Sequence, residues 1–107
     1  MEALAYKPKS PLDGYKSNEI MGLTPVQVIL KLYDFVIMNC KRKDMDKVNA
    51  GLTQLIASLN FEYKEVSLGF FRLYRFCQDR ARKGDFKSVL DVIGELRTAW
   101  AQAFKLQ

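Results

Sequence analysis

After residue 24, apolar residues recur at the three- and four-residue spacing of an α-helix, and only short polar breaks interrupt them. The pattern predicts four helices, over about 25–42, 46–59, 63–82 and 86–104. Thr24-Pro25 predicts the first start, because Thr caps helices and Pro needs no N–H donor at the first helical position. Gly84-Asp85 predicts a helix stop followed by a new N-cap. Short connections place consecutive helices side by side, so the sequence predicts an all-α, antiparallel up-down four-helix bundle.

Residues 1–23 do not share this pattern. Their turn-forming residues are Pro8, Pro11, Gly14 and Gly22, and their apolar residues are too sparse for a separate core. We therefore divide the chain into an extended N-terminal tail or lid segment, 1–23, and a helical bundle domain, 24–107. We expect Tyr15, Ile20 and Leu23 to cover an apolar groove of the bundle until a bound partner displaces them.

Composition excludes several kinds of active site. The chain has 107 residues, a formal net charge of +5, no His and only two Cys. Without His there is no imidazole for acid–base catalysis or metal binding, and two thiols are too few for a zinc site. No glycine-rich nucleotide-binding motif is present. The sequence therefore predicts no enzyme activity, no cofactor and no metal, and we expect Cys40 and Cys77 to be buried as small apolar residues.

The apolar runs are too short for a membrane span, and the N-terminus lacks the pattern of a signal peptide. We therefore expect a cytoplasmic protein without membrane insertion.

Basic residues cluster where the first and third predicted helices end. The two groups are Lys41, Arg42 and Lys43, and Arg80, Arg82 and Lys83. Cations at these positions complement the helix dipole. The clusters could bind an acidic partner or nucleic acid, but no row of aromatic residues for base stacking accompanies them. The pattern favours a solvated bundle end over either partner.

The first predicted helix carries more apolar residues than one buried face requires. They form two stripes, namely Val28, Leu32 and Phe35, and, offset from these, Ile29, Tyr33, Val36, Ile37 and Cys40. We expect one stripe to face the bundle and the other to face the lid or a partner.

The third predicted helix also carries more apolar residues than one buried face requires. Its expected core stripe is Val66, Phe70, Leu73, Tyr74, Cys77 and Ala81. Leu68 and Phe71 lie off this stripe and are better candidates for partner contact. A buried tyrosine hydroxyl needs a hydrogen-bond partner, so Tyr33 and Tyr74 fit the edge of the core as well as a binding site. The candidate partner-binding residues are Tyr15, Ile20, Leu23, Val28, Leu32, Tyr33, Phe35, Leu68, Phe71 and Tyr74.

Four short motifs follow one another in a fixed order along the chain. They are Tyr15 and Ile20 before Thr24-Pro25; Leu32-Tyr33-Asp34; Leu73-Tyr74-Arg75-Phe76; and Leu96-Arg97 followed by Trp100. With Gly84-Asp85 before the last helix, they resemble the FliS family of flagellin export chaperones over residues 15–104. Phe35 stands where that family usually has a small residue. Both helical hairpins are also shorter than in the family, which trims one end of the bundle.

The resemblance implies a cytoplasmic export chaperone that is not an enzyme. Such a protein binds the disordered C-terminal segment of flagellin, prevents premature polymerisation and aids flagellar secretion, with the flagellar export apparatus as a further partner. The residues alone leave two alternatives open. One is a small basic helical nucleic-acid-binding domain, whose affinity would fall steeply with salt. The other is a structural homodimer whose surplus apolar surface is self-complementary.

Overall fold

The computed structural model describes residues 25–105, and these form an all-helical unit. The helices are α1 (Pro25–Lys41), α2 (Met45–Ala57), α3 (Lys64–Arg82) and α4 (Phe86–Ala103). Each lies within a few residues of its predicted position, and α2 ends at Ala57, slightly earlier than predicted. The N-terminal segment 1–23, with Tyr15, Ile20 and Leu23, and the predicted cap Thr24 lie outside the described residues.

The four helices pack as a bundle in which each contacts two neighbours. α1 lies against α2 and α4, and α3 lies against α2 and α4. Because consecutive helices are antiparallel, α1 and α3 run in the same direction, and the α1–α2 and α3–α4 turns lie at one end. The predicted four-helix bundle is confirmed.

The turn between α1 and α2 is closed by two backbone hydrogen bonds. The Asp44 N–H donates to the Asn39 carbonyl and the Lys43 N–H donates to the Cys40 carbonyl, both at 3.0 Å. This pair of bonds defines a Schellman motif, in which the residue after the helix takes a left-handed conformation. Lys43 occupies that position, with a φ of 59°. Asp44 then caps α2 by accepting a hydrogen bond from the Lys47 N–H at 3.1 Å.

The turn between α3 and α4 repeats the same geometry. The Asp85 N–H donates to the Arg80 carbonyl at 2.9 Å, and the Gly84 N–H donates to the Ala81 carbonyl at 3.0 Å. Gly84 takes the left-handed position with a φ of 78°. Asp85 caps α4 by accepting from the Ser88 N–H at 3.2 Å. The stop and start predicted from Gly84-Asp85 are therefore confirmed.

The core fills the space between all four helices. Its largest fully buried side chains are Tyr33, Tyr74, Ile29, Leu52, Leu55, Ile93, Val36, Val48 and Val89. α1 and α2 approach especially closely at Gly51, where an added Cβ would lie 2.7 Å from Val36 Cγ2 and 3.0 Å from the Phe35 ring. Glycine is required there by space rather than by backbone conformation.

Candidate partner-binding surfaces

Motif residues from separate helices contact one another, in the interior of the bundle for the tyrosines and at its surface for Asp34 and Arg97. The Tyr33 and Tyr74 hydroxyls are 2.8 Å apart and share a buried hydrogen bond between the diagonal helices α1 and α3. The Trp100 ring meets the Tyr33 ring edge to face, with centroids 6.1 Å apart. Nearby, the Arg97 guanidinium donates to both oxygens of Asp34, at 2.5 and 3.3 Å, and so links α4 to α1. Residues far apart in sequence thus contact one another across three helices.

Tyr33 and Tyr74 are core residues in this arrangement. Tyr33 is 0% exposed and Tyr74 is 2% exposed, and the Phe70 ring stacks on Tyr74 at a centroid distance of 5.9 Å. Of the two roles considered for these tyrosines, the structure shows the hydrogen-bonded core position. Neither ring is presented to a partner on the bundle surface.

The two apolar stripes of α1 have different surroundings. Ile29, Val36 and Cys40 are buried in the core, so this stripe faces the bundle. Val28, Leu32 and Phe35 are half-buried. The Phe35 ring lies against α2 at Gly51, which places the second stripe along the outer seam of α1 and α2.

The predicted core stripe of α3 is partly wrong. Val66 is 55% exposed and Leu73 is 39% exposed, while Ser67 and Gln78 are buried. The Ser67 hydroxyl donates to the Asn60 carbonyl at 2.6 Å, which satisfies its polar group. The Gln78 amide is satisfied by acceptors on α2, the Thr53 hydroxyl at 3.0 Å and the Asn49 carbonyl at 3.3 Å. These bonds turn α3 so that two apolar residues point outward.

Leu68 and Phe71 are half-buried on the side of α3 that faces α2. Phe71 lies seven residues before Gln78 and therefore on the same helix face. Its ring meets that of the exposed Phe61, in the α2–α3 connection, at a centroid distance of 6.3 Å. Apart from the buried Tyr33 and Tyr74, the candidate residues in the described part of the chain thus fall on two neighbouring faces, along α1–α2 and α2–α3.

A third apolar surface lies along α3 and α4 and was not predicted. Val66 and Leu73 are seven residues apart and share a helix face with Phe70. The Phe70 ring contacts the Trp100 ring of α4, with centroids 6.2 Å apart. We call Val66, Phe70, Leu73 and Trp100 the α3–α4 strip. The apolar spacing of α3 was the sequence signal for this surface, but we interpreted that spacing as a stripe facing the core.

The two thiols of the described residues are buried and not activated. Burial raises the pKa of Cys40 to about 11 and that of Cys77 to about 12, with the nearby Cys40 adding to the second shift. Both therefore remain protonated thiols at neutral pH.

Between residues 25 and 105, no three Cys, Asp or Glu side chains gather into a possible metal site. None of the helices described is both long and apolar enough to cross a membrane.

Comparison of the chain with protein-family models, curated proteins and solved structures gives no match. The resemblance to the FliS family therefore rests on the ordered motifs alone.

Proposed function

We propose that the protein is a cytoplasmic export chaperone that binds the C-terminal segment of flagellin as an apolar, helix-forming client. In this role it keeps the client from polymerising early and delivers it to the flagellar export apparatus. Binding needs no catalytic group, in keeping with the protonated thiols Cys40 and Cys77.

The observation that carries the proposal is the exposed apolar surface on a well-packed helical scaffold. Val66 and Leu73 are 55% and 39% exposed beside the half-buried Phe70 and Trp100. Apolar side chains spaced along two adjacent helices are the surface that an amphipathic client helix contacts in helix-in-groove recognition. The α3–α4 strip thus offers a row of anchors for such a helix.

The contacts among the motif residues give further support. Tyr33, Asp34, Tyr74, Arg97 and Trp100 come from the ordered motifs that resemble FliS, and they pack or pair with one another across three helices. Such contacts stabilise the relative positions of α1, α3 and α4. A surface shared by α3 and α4 is then held in a defined shape before the client binds, which reduces the ordering cost of association.

The test is calorimetric titration of the full chain with the C-terminal segment of the organism's flagellin, at low and at moderate salt. We expect one-to-one binding with a negative heat-capacity change and little salt dependence, because burial of apolar surface dominates. Val66→Ser with Leu73→Ser should weaken binding by about tenfold or more, since each removes a buried apolar contact. Both side chains are exposed in the free protein, so folding should be retained.

Met38→Ser is the matched control, because Met38 is similarly exposed, at 43%, but lies on α1, diagonal to α3. It should leave client affinity unchanged. Two results would contradict the proposal: no binding heat from a folded protein in either salt, or equal weakening by the control and the α3 variants. Sedimentation of the protein alone distinguishes the homodimer alternative, because a self-complementary surface would sediment as a dimer without any client.

A further inference from the structure

The α1–α2 turn carries basic side chains that form no ion pair with any acid among residues 25–105. Four of them are exposed, and within the described part of the chain their side chains form no ion pair and no hydrogen bond. They are Lys41, Arg42, Lys43 and Lys47. The carboxylates in this stretch are Asp44 and Asp46, and Asp44 is engaged in capping α2. The turn therefore presents a surplus of positive charge to solvent.

The α3–α4 turn, at the same end of the bundle, also contains four basic residues, but each has an acidic partner. The ion pairs are Arg80–Asp85 at 2.8 Å, Lys83–Asp79 at 3.3 Å, Arg82–Asp79 at 3.8 Å and Lys87–Asp91 at 2.9 Å. The positive charge of this turn is thus largely balanced within the protein. The difference shows that turns of this backbone geometry do not require free cations.

The helix dipole does not account for all of the free cations. Lys41, Arg42 and Lys43 lie at or directly after the C-terminal end of α1, where positive charge is favourable. Lys47 lies in the first turn of α2, where positive charge opposes the dipole. Local electrostatics therefore give no reason for Lys47 to be basic.

Lys43 also stands at a position that favours glycine. Its φ of 59° is left-handed, and the equivalent position in the other turn is Gly84, with a φ of 78°. A side chain in this conformation costs free energy that glycine does not. A non-glycine residue in this conformation, where glycine would avoid the cost, suggests a role for its side chain. For Lys43, that side chain is an exposed cation.

Two methionines accompany the cations. Met38 is 43% exposed and Met45 is 40% exposed. Met38 lies one helical turn before Arg42 on the same side of α1, and Met45 begins α2 directly after the turn. Methionine side chains are flexible and polarisable, and they suit surfaces that bind apolar groups of varied shape. The turn thus combines cations with adaptable apolar anchors.

We propose that this basic turn surface, formed by Met38, Lys41, Arg42, Lys43, Met45 and Lys47, binds an acidic peptide segment that also carries apolar side chains. Carboxylates of the peptide would pair with the free cations, and its apolar side chains would contact the methionines. Nucleic acid fits less well, because single strands are bound by stacking on aromatic rings, and this surface has methionines instead. The site is separate from the α3–α4 strip and does not depend on the client proposed above.

The test uses the full chain and a labelled synthetic peptide in which pairs of Glu alternate with pairs of Leu. Fluorescence anisotropy should show binding that weakens as salt rises, and a peptide with Gln in place of Glu should bind much less. The variant Lys41→Gln, Lys43→Gln, Lys47→Gln should weaken binding by about tenfold. The matched control, Arg82→Gln, Lys83→Gln, Lys87→Gln, removes the same charge from the other turn and should have little effect.

A second variant tests the apolar part of the site. Met38→Gln with Met45→Gln should weaken the binding that remains at high salt, because that part depends on apolar contact. Equal losses from the two triple variants would overturn the proposal, since net charge alone would then explain the binding. Failure of the peptide to bind the folded wild-type chain would also overturn it. So would tighter, Lys43-dependent binding of single-stranded oligothymidine or of anionic phospholipid vesicles.

Discussion

The α1–α2 and α3–α4 hairpins share a turn geometry but use it differently. Each turn has a Schellman pair of backbone bonds followed by an Asp cap, Asp44 in one and Asp85 in the other. In the second hairpin the turn residues stabilise the fold, because Gly84 adopts the left-handed conformation without strain and Arg80 pairs with Asp85. In the first hairpin, Lys43 takes the left-handed conformation, and its side chain has no ion pair within the described part of the chain. Backbone hydrogen bonds and capping are therefore sufficient for the turn, and the charges around it are free to differ.

The hairpins also differ in how closely atoms of a neighbouring helix approach their glycines. Gly51 of α2 lies against Val36 and Phe35 of α1, whereas a Cβ added at Gly69 of α3 or Gly94 of α4 would meet no atom of another helix within 4 Å. The first hairpin is thus held by close backbone approach. The second has open positions along its helices and the exposed α3–α4 strip.

The largest effect should come from filling the close approach in the first hairpin. Gly51→Ala should lower the free energy of unfolding by about 1–3 kcal/mol, because Val36 is fully buried and cannot move away without repacking. The same change at Gly69 should raise it by about 0.5–1 kcal/mol, since alanine favours the helix and space is open there. Urea denaturation measures both. Similar effects at the two sites would show that α1 and α2 are not tightly packed at Gly51.

The second prediction compares the residues in left-handed conformation in the two turns, Lys43 and Gly84. Gly84→Ala should destabilise the protein by about 1–2 kcal/mol, because only the backbone conformation is unfavourable and the surrounding space is open. Lys43→Gly should stabilise it by about 0.5–1 kcal/mol for the same reason in reverse. Thermal unfolding of both variants tests the pair. A loss of stability in Lys43→Gly would mean that the lysine contributes to folding, which would weaken its assignment to a binding surface.

Local signals were sufficient to predict the fold. Helical spacing and the Gly84-Asp85 pair act within a few residues of where they stand, so the four helices and the second turn could be predicted from the sequence. Lys43 was the exception, because a lysine gives no sign of a left-handed conformation. Its role in the turn became evident only from the backbone bonds.

The orientation of α3 depends on distant residues and was predicted less well. The apolar spacing favoured Val66 and Leu73 as core, yet Ser67 and Gln78 are buried in the structure. Their burial depends on acceptors outside α3, such as the Asn60 carbonyl and the Thr53 hydroxyl. Hydrogen bonds between elements cannot be read from the period of one helix. The apolar surface of α3 therefore differs from the predicted one, although the predicted bundle was confirmed.

The smallest effect is a difference in acid sensitivity centred on the second turn. Hydrogen bonds from the Ser88 hydroxyl and backbone N–H, and then from Arg80, hold the pKa of Asp85 below its ordinary value of 3.8. The pKa of Asp85 is lower in the folded than in the unfolded protein. Its carboxylate therefore contributes stability at pH values above the ordinary Asp pKa, and this contribution is lost as the pH falls through the folded pKa. The stability of the wild-type chain should therefore decline in this acid range.

Asp85→Asn isolates that contribution, because Asn still caps a helix but does not titrate. The variant should be less stable than wild type at neutral pH, and the two should converge as the pH falls below the ordinary carboxyl value. Free energies of unfolding from urea titrations at several pH values provide the measurement. Parallel curves for the two proteins would show that Asp85 gains nothing from Ser88 and Arg80. The second turn would then be held by its backbone bonds and Gly84 alone, much as the first is held around Lys43.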